Sequence, residues 1–130
     1  MKEILKELHS YLYAIETFDK QMAQDGATLH VYLIELTQYM ARANTLMAEW
    51  NKIYKDAKVK AYNSLAASQV ASQRYFSASQ GKDYVDAQCA EIGEVYDTAE
   101  RCSRTAVHAA DCIRTIISSL KSERTFAQYS

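Results

Sequence analysis

Arg101 and Arg104 stand one helical turn apart, with His108 and Asp111 following at four- and three-residue steps and Asp97 one turn before. On a helix these groups share one stripe. Guanidinium forks at that spacing suit paired contacts with a phosphate. A second basic run, Lys52, Lys55, Lys58 and Lys60, has only Asp56 among it, whereas residues 83–100 carry six carboxylates and no base. A chain that turns at Gly81 brings Lys58 and Lys60 beside Arg101 and Arg104, where like charges call for a counter-anion. Tyr54 and Tyr62 fall nearby and can stack on a base or seal a pocket. Lys58, Lys60, Arg101, Arg104, His108, Tyr54 and Tyr62 are therefore the candidate ligand-binding set, suited to a small anionic molecule such as a nucleotide. The competing account is a solvated lysine face, with Asp97–Arg101 and Arg104–His108–Asp111 contacts kept inside one helix.

Other chemistry finds less support. Asp111 can orient His108 as half of a base–orienter pair, but no motif places a nucleophile, so no catalytic residue is assigned. His9, His30, His108 and the three cysteines show no C-x-x-C, H-x-x-x-H or paired Glu-x-x-His spacing, so no metal or cofactor is expected. Four lysines and two arginines flanked by six carboxylates, without a recognisable reading module, argue against nucleic acid as partner.

The elements that must position these groups are helices. The 130 residues contain no proline and three glycines, so few places force a helix to stop. Good helix formers fill the chain, and the period-2 alternation of strands is absent. Ile4, Leu8, Tyr11, Ile15, Phe18 and Met22 form a heptad stripe, as do Leu29, Leu33, Leu36, Met40, Ala43, Met47, Trp50, Tyr54, Ala57 and Ala61. On the last helix Ala99, Ser103, Ala106, Ala110, Ile113, Ile117 and Leu120 share a small apolar face. The expectation is one all-α domain over residues 1–130, an antiparallel bundle of three long helices at about 2–24, 28–79 and 83–124. Four helices result if the middle one breaks near Asn63.

Asp25-Gly26 is read as the first turn, with Gly26 as cap and Thr28 as the next N-cap. Gln80-Gly81-Lys82 is the second, with Asp83 as N-cap. Phe126–Ser130 is read as a frayed tail. Residues 52–79 and 82–108 then form a two-helix arm with more apolar groups than two helices can bury. This predicts an extended, self-associating protein, most simply a two-fold dimer.

No apolar run approaches the length of a membrane span, which argues against a membrane partner. The N-terminus alternates charged and apolar residues, unlike a signal peptide. Cys89, Cys102 and Cys112 read as buried free thiols of a reducing cytoplasm. The formal net charge of −1 gives no general attraction to polyanions. Several of the ten tyrosines, Tyr13, Tyr62, Tyr75 and Tyr84 among them, fall off the core stripes, as interface aromatics do.

Glu100-Arg101, Arg104-Thr105, His108, Asp111 and Arg114-Thr115, in the last third of the chain, resemble the spaced polar pattern of short, uncharacterised helical proteins of tailed phages. The resemblance implies a phage-encoded accessory protein in the host cytoplasm, acting on host machinery or in phage DNA metabolism. One class of small phage proteins sequesters the nucleotide signals of bacterial immunity between protomers, which would be an anti-defence role. The leading expectation is a non-enzymatic, oligomeric binding protein for a nucleotide-like ligand. A protein–protein module inhibiting a host factor is the alternative, and a DNA-recombination accessory the third.

Overall fold

The computed structural model describes residues 1–21 and 26–129. Among these residues all regular structure is helical, in four elements: α1 (Lys2–Gln21), α2 (Gly26–Ser72), α3 (Ala78–Gln88) and α4 (Ala90–Tyr129). The expected end of the first helix at Gln24, with Met22 on its stripe and Asp25 in the break, falls outside the described residues. Gly26 is the first residue of α2 and has no positive φ, so it does not supply the left-handed cap expected of it. Helix α2 continues through Asn63, because neither Asn63 nor Ser64 forbids helix and Leu65 is anchored in the arm. No helix of the described residues is long and apolar enough to cross a membrane.

The second turn is not at Gly81. Residues 73–77 make it, and Gly81 lies buried inside α3. Gln73 leaves α2 in the left-handed region at φ 57°, a common way for a helix to end. Gln69 then folds over the turn, its side-chain oxygen accepting from the Phe76 N–H at 2.7 Å. Ser77 caps α3: its hydroxyl accepts from the Gln80 N–H at 3.2 Å, and the Gln80 side chain accepts from the Ser77 N–H at 3.0 Å. This reciprocal capping box satisfies two donors that would otherwise be orphaned. A Cβ at position 81 would meet Leu65 Cδ2 at 3.5 Å, an ordinary contact, so nothing in the packing there requires glycine.

The third expected helix is in fact two. The chain interrupts at Cys89, whose N–H still bonds to the Val85 carbonyl at 3.1 Å. Val85 and Cys89 both pack on Leu65, with Ala57 and Ala61 alongside. At the other end, α4 runs on to Tyr129 and absorbs most of the expected tail.

Moving the turn changes which residues meet. Leu65 faces Gly81, Tyr54 faces Gly93, and the Ser103 hydroxyl donates to the Asn44 side-chain oxygen at 2.5 Å. The expected placement of Lys58 and Lys60 beside Arg101 and Arg104 is therefore replaced. Two apolar clusters fill the wider end, where α1, α2 and α4 meet. One is built on Ile15, Leu29, Leu36, Ala106 and Ile113, the other on Leu8, Leu46, Trp50, Val95 and Cys102. Stacked rings tie α1 to α2, Tyr11 on Tyr39 at 4.7 Å and Phe18 on Tyr32 at 4.3 Å between centroids. Beside them Arg42 Nε donates to Glu7 Oε1 at 2.8 Å, and the Tyr11 hydroxyl donates to the same oxygen at 2.6 Å. These bonds hold the Glu7 carboxyl below its usual range, while burial and Glu7 push the Tyr11 phenol up to about 12.

Two expectations follow. Gly81→Ala and Gln73→Gly should each raise stability by about 0.5–1 kcal/mol, the first by restoring helix propensity where a Cβ fits, the second by relieving a left-handed side chain. Thermal denaturation measures both, and a destabilised Gly81→Ala would return Gly81 to a turn. Glu7, with its lowered folded pKa, contributes stability that is present above the unfolded carboxylate pKa and lost as pH falls through the folded one. Glu7→Gln should therefore flatten the acid limb of the stability–pH curve in chemical denaturation.

Candidate functional site

Helix α4 approaches α2 closely at Gly93. A Cβ there would stand 3.0 Å from Tyr54 Cε2, so the missing side chain is what lets the Tyr54 ring lie on the α4 backbone. The ring is held further by Tyr96, parallel within 6° at 6.3 Å, and by the Lys58 ammonium 4.3 Å from its centroid. Tyr54 thus becomes one wall of a cavity of about 690 Å³. The exposed stripe of α4, with Glu94, Asp97, Arg101 and Arg104, lines its length, and His9 of α1 closes the far side. A groove of about 490 Å³ continues from His9 and Arg101 toward Tyr13 and Thr105. The cavity has the size of a small-molecule site.

Two groups on its lining lack protein partners. Thr98 is only 5% exposed, and its hydroxyl makes no hydrogen bond among the described residues. Arg101 likewise makes no ion pair among them, whereas Arg104 reaches Glu100 at a loose 3.8 Å. An unpaired guanidinium and an unpaired hydroxyl give a ligand anionic and hydrogen-bonding handholds. The nearby carboxylates Glu94 and Asp97 accept hydrogen bonds, so the lining is mixed rather than purely cationic.

The sequence-derived residues distribute as follows. Tyr54, Arg101 and Arg104 line the cavity, and Lys58 touches it only through the Tyr54 ring. Because Tyr54 is level with Gly93, Lys58 lies about 18 Å along the axis from Arg101. Lys60 is exposed on the arm, and Tyr62 is exposed on the outer side of α2. The four-cation cluster expected from a turn at Gly81 is thus not assembled. His108 is exposed two turns beyond Arg101, and Asp111 pairs with Arg114 at 3.1 Å rather than with His108. His9, Gly93 and Thr98 were not among the expected site residues. The Ser77-x-x-Gln80 capping signature was the signal that could have set the register to find them. No group of histidines, cysteines and carboxylates able to hold a metal occurs among the described residues.

The thiols divide by exposure. Cys89 and Cys102 are buried, and burial pushes the Cys102 thiol up to about 11 although Arg101 pulls it down. Cys112, expected to be buried, is exposed because it lies one step off the face formed by Ala109, Ala110 and Ile113. No family model matches the chain, and neither the curated proteins nor the solved structures provide a match.

Thiol labelling tests this packing. Cys112 should react fast in the native protein, with Cys89 and Cys102 reacting only in urea. Fast native labelling of Cys102 would show that the α2–α4 seam is open.

Proposed function

We propose that this chain is a non-enzymatic binding protein, an antiparallel helical bundle that works as an oligomer and takes a small anionic, nucleotide-like ligand. The observation that carries this reading is the cavity in which the unpaired Arg101 stands with Arg104, His9 and the unpartnered Thr98 hydroxyl, beside the fixed ring of Tyr54. A phosphate takes the arginine end, where charged hydrogen bonds are strongest. A base lies against Tyr54, and its amino or sugar hydroxyl groups donate to Asp97 and Glu94. The lining carboxylates select for a ligand that carries donors as well as negative charge, and select against inorganic polyanions. The three free cysteines fit a reducing, cytoplasmic setting. If the tailed-phage resemblance of the last third holds, the ligand class would be an immune signal nucleotide.

A second reading is a protein–protein module that inhibits a host factor. It is favoured by the aromatic edge of the arm, where Phe76 and Tyr84 contact each other at 6.3 Å and Tyr75 stays exposed.

A thermal-shift series with mono-, di- and cyclic nucleotides tests the first reading. A bound ligand at a hundred times its Kd raises stability by about 2.7 kcal/mol. Arg101→Ala should weaken binding about ten- to a hundredfold while leaving the melting temperature of the free protein unchanged, since Arg101 has no ion pair to lose. No response to any nucleotide, or unaltered affinity in Arg101→Ala, would end the reading.

A further inference from the structure

The cavity at Tyr54 continues past Arg101 into the groove toward Tyr13, and Arg101 of α4 and His9 of α1 line both. The two hollows are lobes of one trough. They join beside a guanidinium that makes no ion pair among the described residues. At about 690 and 490 Å³, each lobe alone has the size of a small-molecule site. A nucleoside monophosphate with its base at Tyr54 and its phosphate at Arg101 would fill the first lobe and leave the second empty.

The threonines of the chain point the same way, independently of the shape. Inside a helix a threonine hydroxyl can donate to the carbonyl one turn back. Thr17, Thr37, Thr45, Thr115 and Thr125 all do so, at 2.9 to 3.0 Å. Thr98 and Thr105 lie inside α4 yet make no hydrogen bond among the described residues. Thr98 lines the first lobe and Thr105 the second. They stand three residues before and four residues after Arg101 on one stripe, about 10 Å apart along the axis. Thr98 is 5% exposed and Thr105 half-buried. A polar group entering either lobe therefore meets a sheltered hydroxyl whose donor and acceptor sites are both free.

Charge decides how the two halves of such a ligand are joined. Glu100 engages Arg104 at 3.8 Å, and Glu94 and Asp97 share the lining with Arg101. A phosphomonoester approaches two negative charges at neutral pH, and the second would be opposed by these carboxylates. A phosphodiester carries a single charge, which one guanidinium can match. Beyond it, Leu12 and Ile15 give the second lobe apolar lining and Tyr13 adds a ring, surroundings that suit a second base.

We infer that the trough takes a dinucleotide, with its one phosphodiester at Arg101 and His9. One nucleoside lies beside Tyr54 and Thr98, the other beside Tyr13 and Thr105. The inference rests on the nucleotide reading of the cavity and extends that ligand past its phosphate.

Calorimetric titration of the full chain with the 3′,5′-linked dinucleotides ApA and UpU, against AMP and UMP, tests it. A dinucleotide should bind about tenfold more tightly than its monophosphate. Tyr13→Ala and Thr105→Val should each weaken the dinucleotide about tenfold and leave the monophosphate unchanged. Tyr13 is 72% exposed, so its removal spares the fold. Thr98→Val should weaken both kinds of ligand, because both occupy the first lobe. Equal affinities, a preference for the monophosphate, or a dinucleotide affinity that neither Tyr13→Ala nor Thr105→Val lowers overturns the inference and leaves the nucleotide reading standing. Binding of none of the four overturns both.

Discussion

The register between α2 and α4 is the constraint on which the rest of the molecule depends. Along this seam Ala43, Leu46 and Trp50 meet Val95, Ala99 and Cys102, and Leu36 meets Ala106, Ala110 and Ile113. Small groups on α4 allow a close approach, and the large side chains of α2 fill the space they leave. A close seam tolerates little sliding, because a shift of one turn would set leucines against the backbone of the facing helix. The five residues from Gln73 to Ser77 determine that register, and neither a proline nor a glycine stands among them.

The cavity is a by-product of the same seam. Beyond the N-terminal end of α1, α2 and α4 continue, and the space beside His9 and Leu5 is filled by no further helix. Gly93 lets Tyr54 settle onto α4 and close one wall, while the charged stripe of α4 turns outward along the floor. Nearby, the Trp50 Nε1–H is buried without a partner among the described residues. An unsatisfied buried donor costs about 1–3 kcal/mol. The apolar packing of the indole against Leu8, Leu46 and Val95 offsets it.

The helical class and the continuity of α2 through Asn63 were legible because they rest on long heptad stripes, and Leu29, Leu36, Ala43 and Trp50 are buried as that periodicity requires. The second turn was misplaced because Gly81 was read as punctuation and the Ser77-x-x-Gln80 capping box was passed over. Gly81 lies inside α3 with room for a Cβ against Leu65, and the conformation that favours glycine falls on Gln73 instead. The interruption at Cys89 has no sequence signal, since tertiary packing on Leu65 decides it. The site was legible in proportion to its dependence on that turn. Arg101, Arg104 and Tyr54 share a cavity because two of them sit on one helix and the third reaches across a close approach. Lys60 and Tyr62 were grouped with them through the wrong register and His108 through its place on the α4 stripe, which runs past the cavity, while His9 was missed because it belongs to α1, far away in sequence.

The order of the elements along the chain has a bearing on how the protein is made. Helix α1 packs chiefly against α4 rather than against α2, its immediate neighbour in sequence. During synthesis the chain emerges from its first residue onward at about 5–20 residues per second. The stripes of Leu8 and Ile15 on α1, and of Leu36 and Trp50 on α2, therefore leave the ribosome before the surface that covers them exists. The α2–α4 contacts nearest the Ser77 cap close the shortest loops and so cost the least chain entropy to form. Of these four helices α1 leaves the ribosome earliest and its seat on α4 latest, so a chain arrested before Ala106 leaves that seat half built.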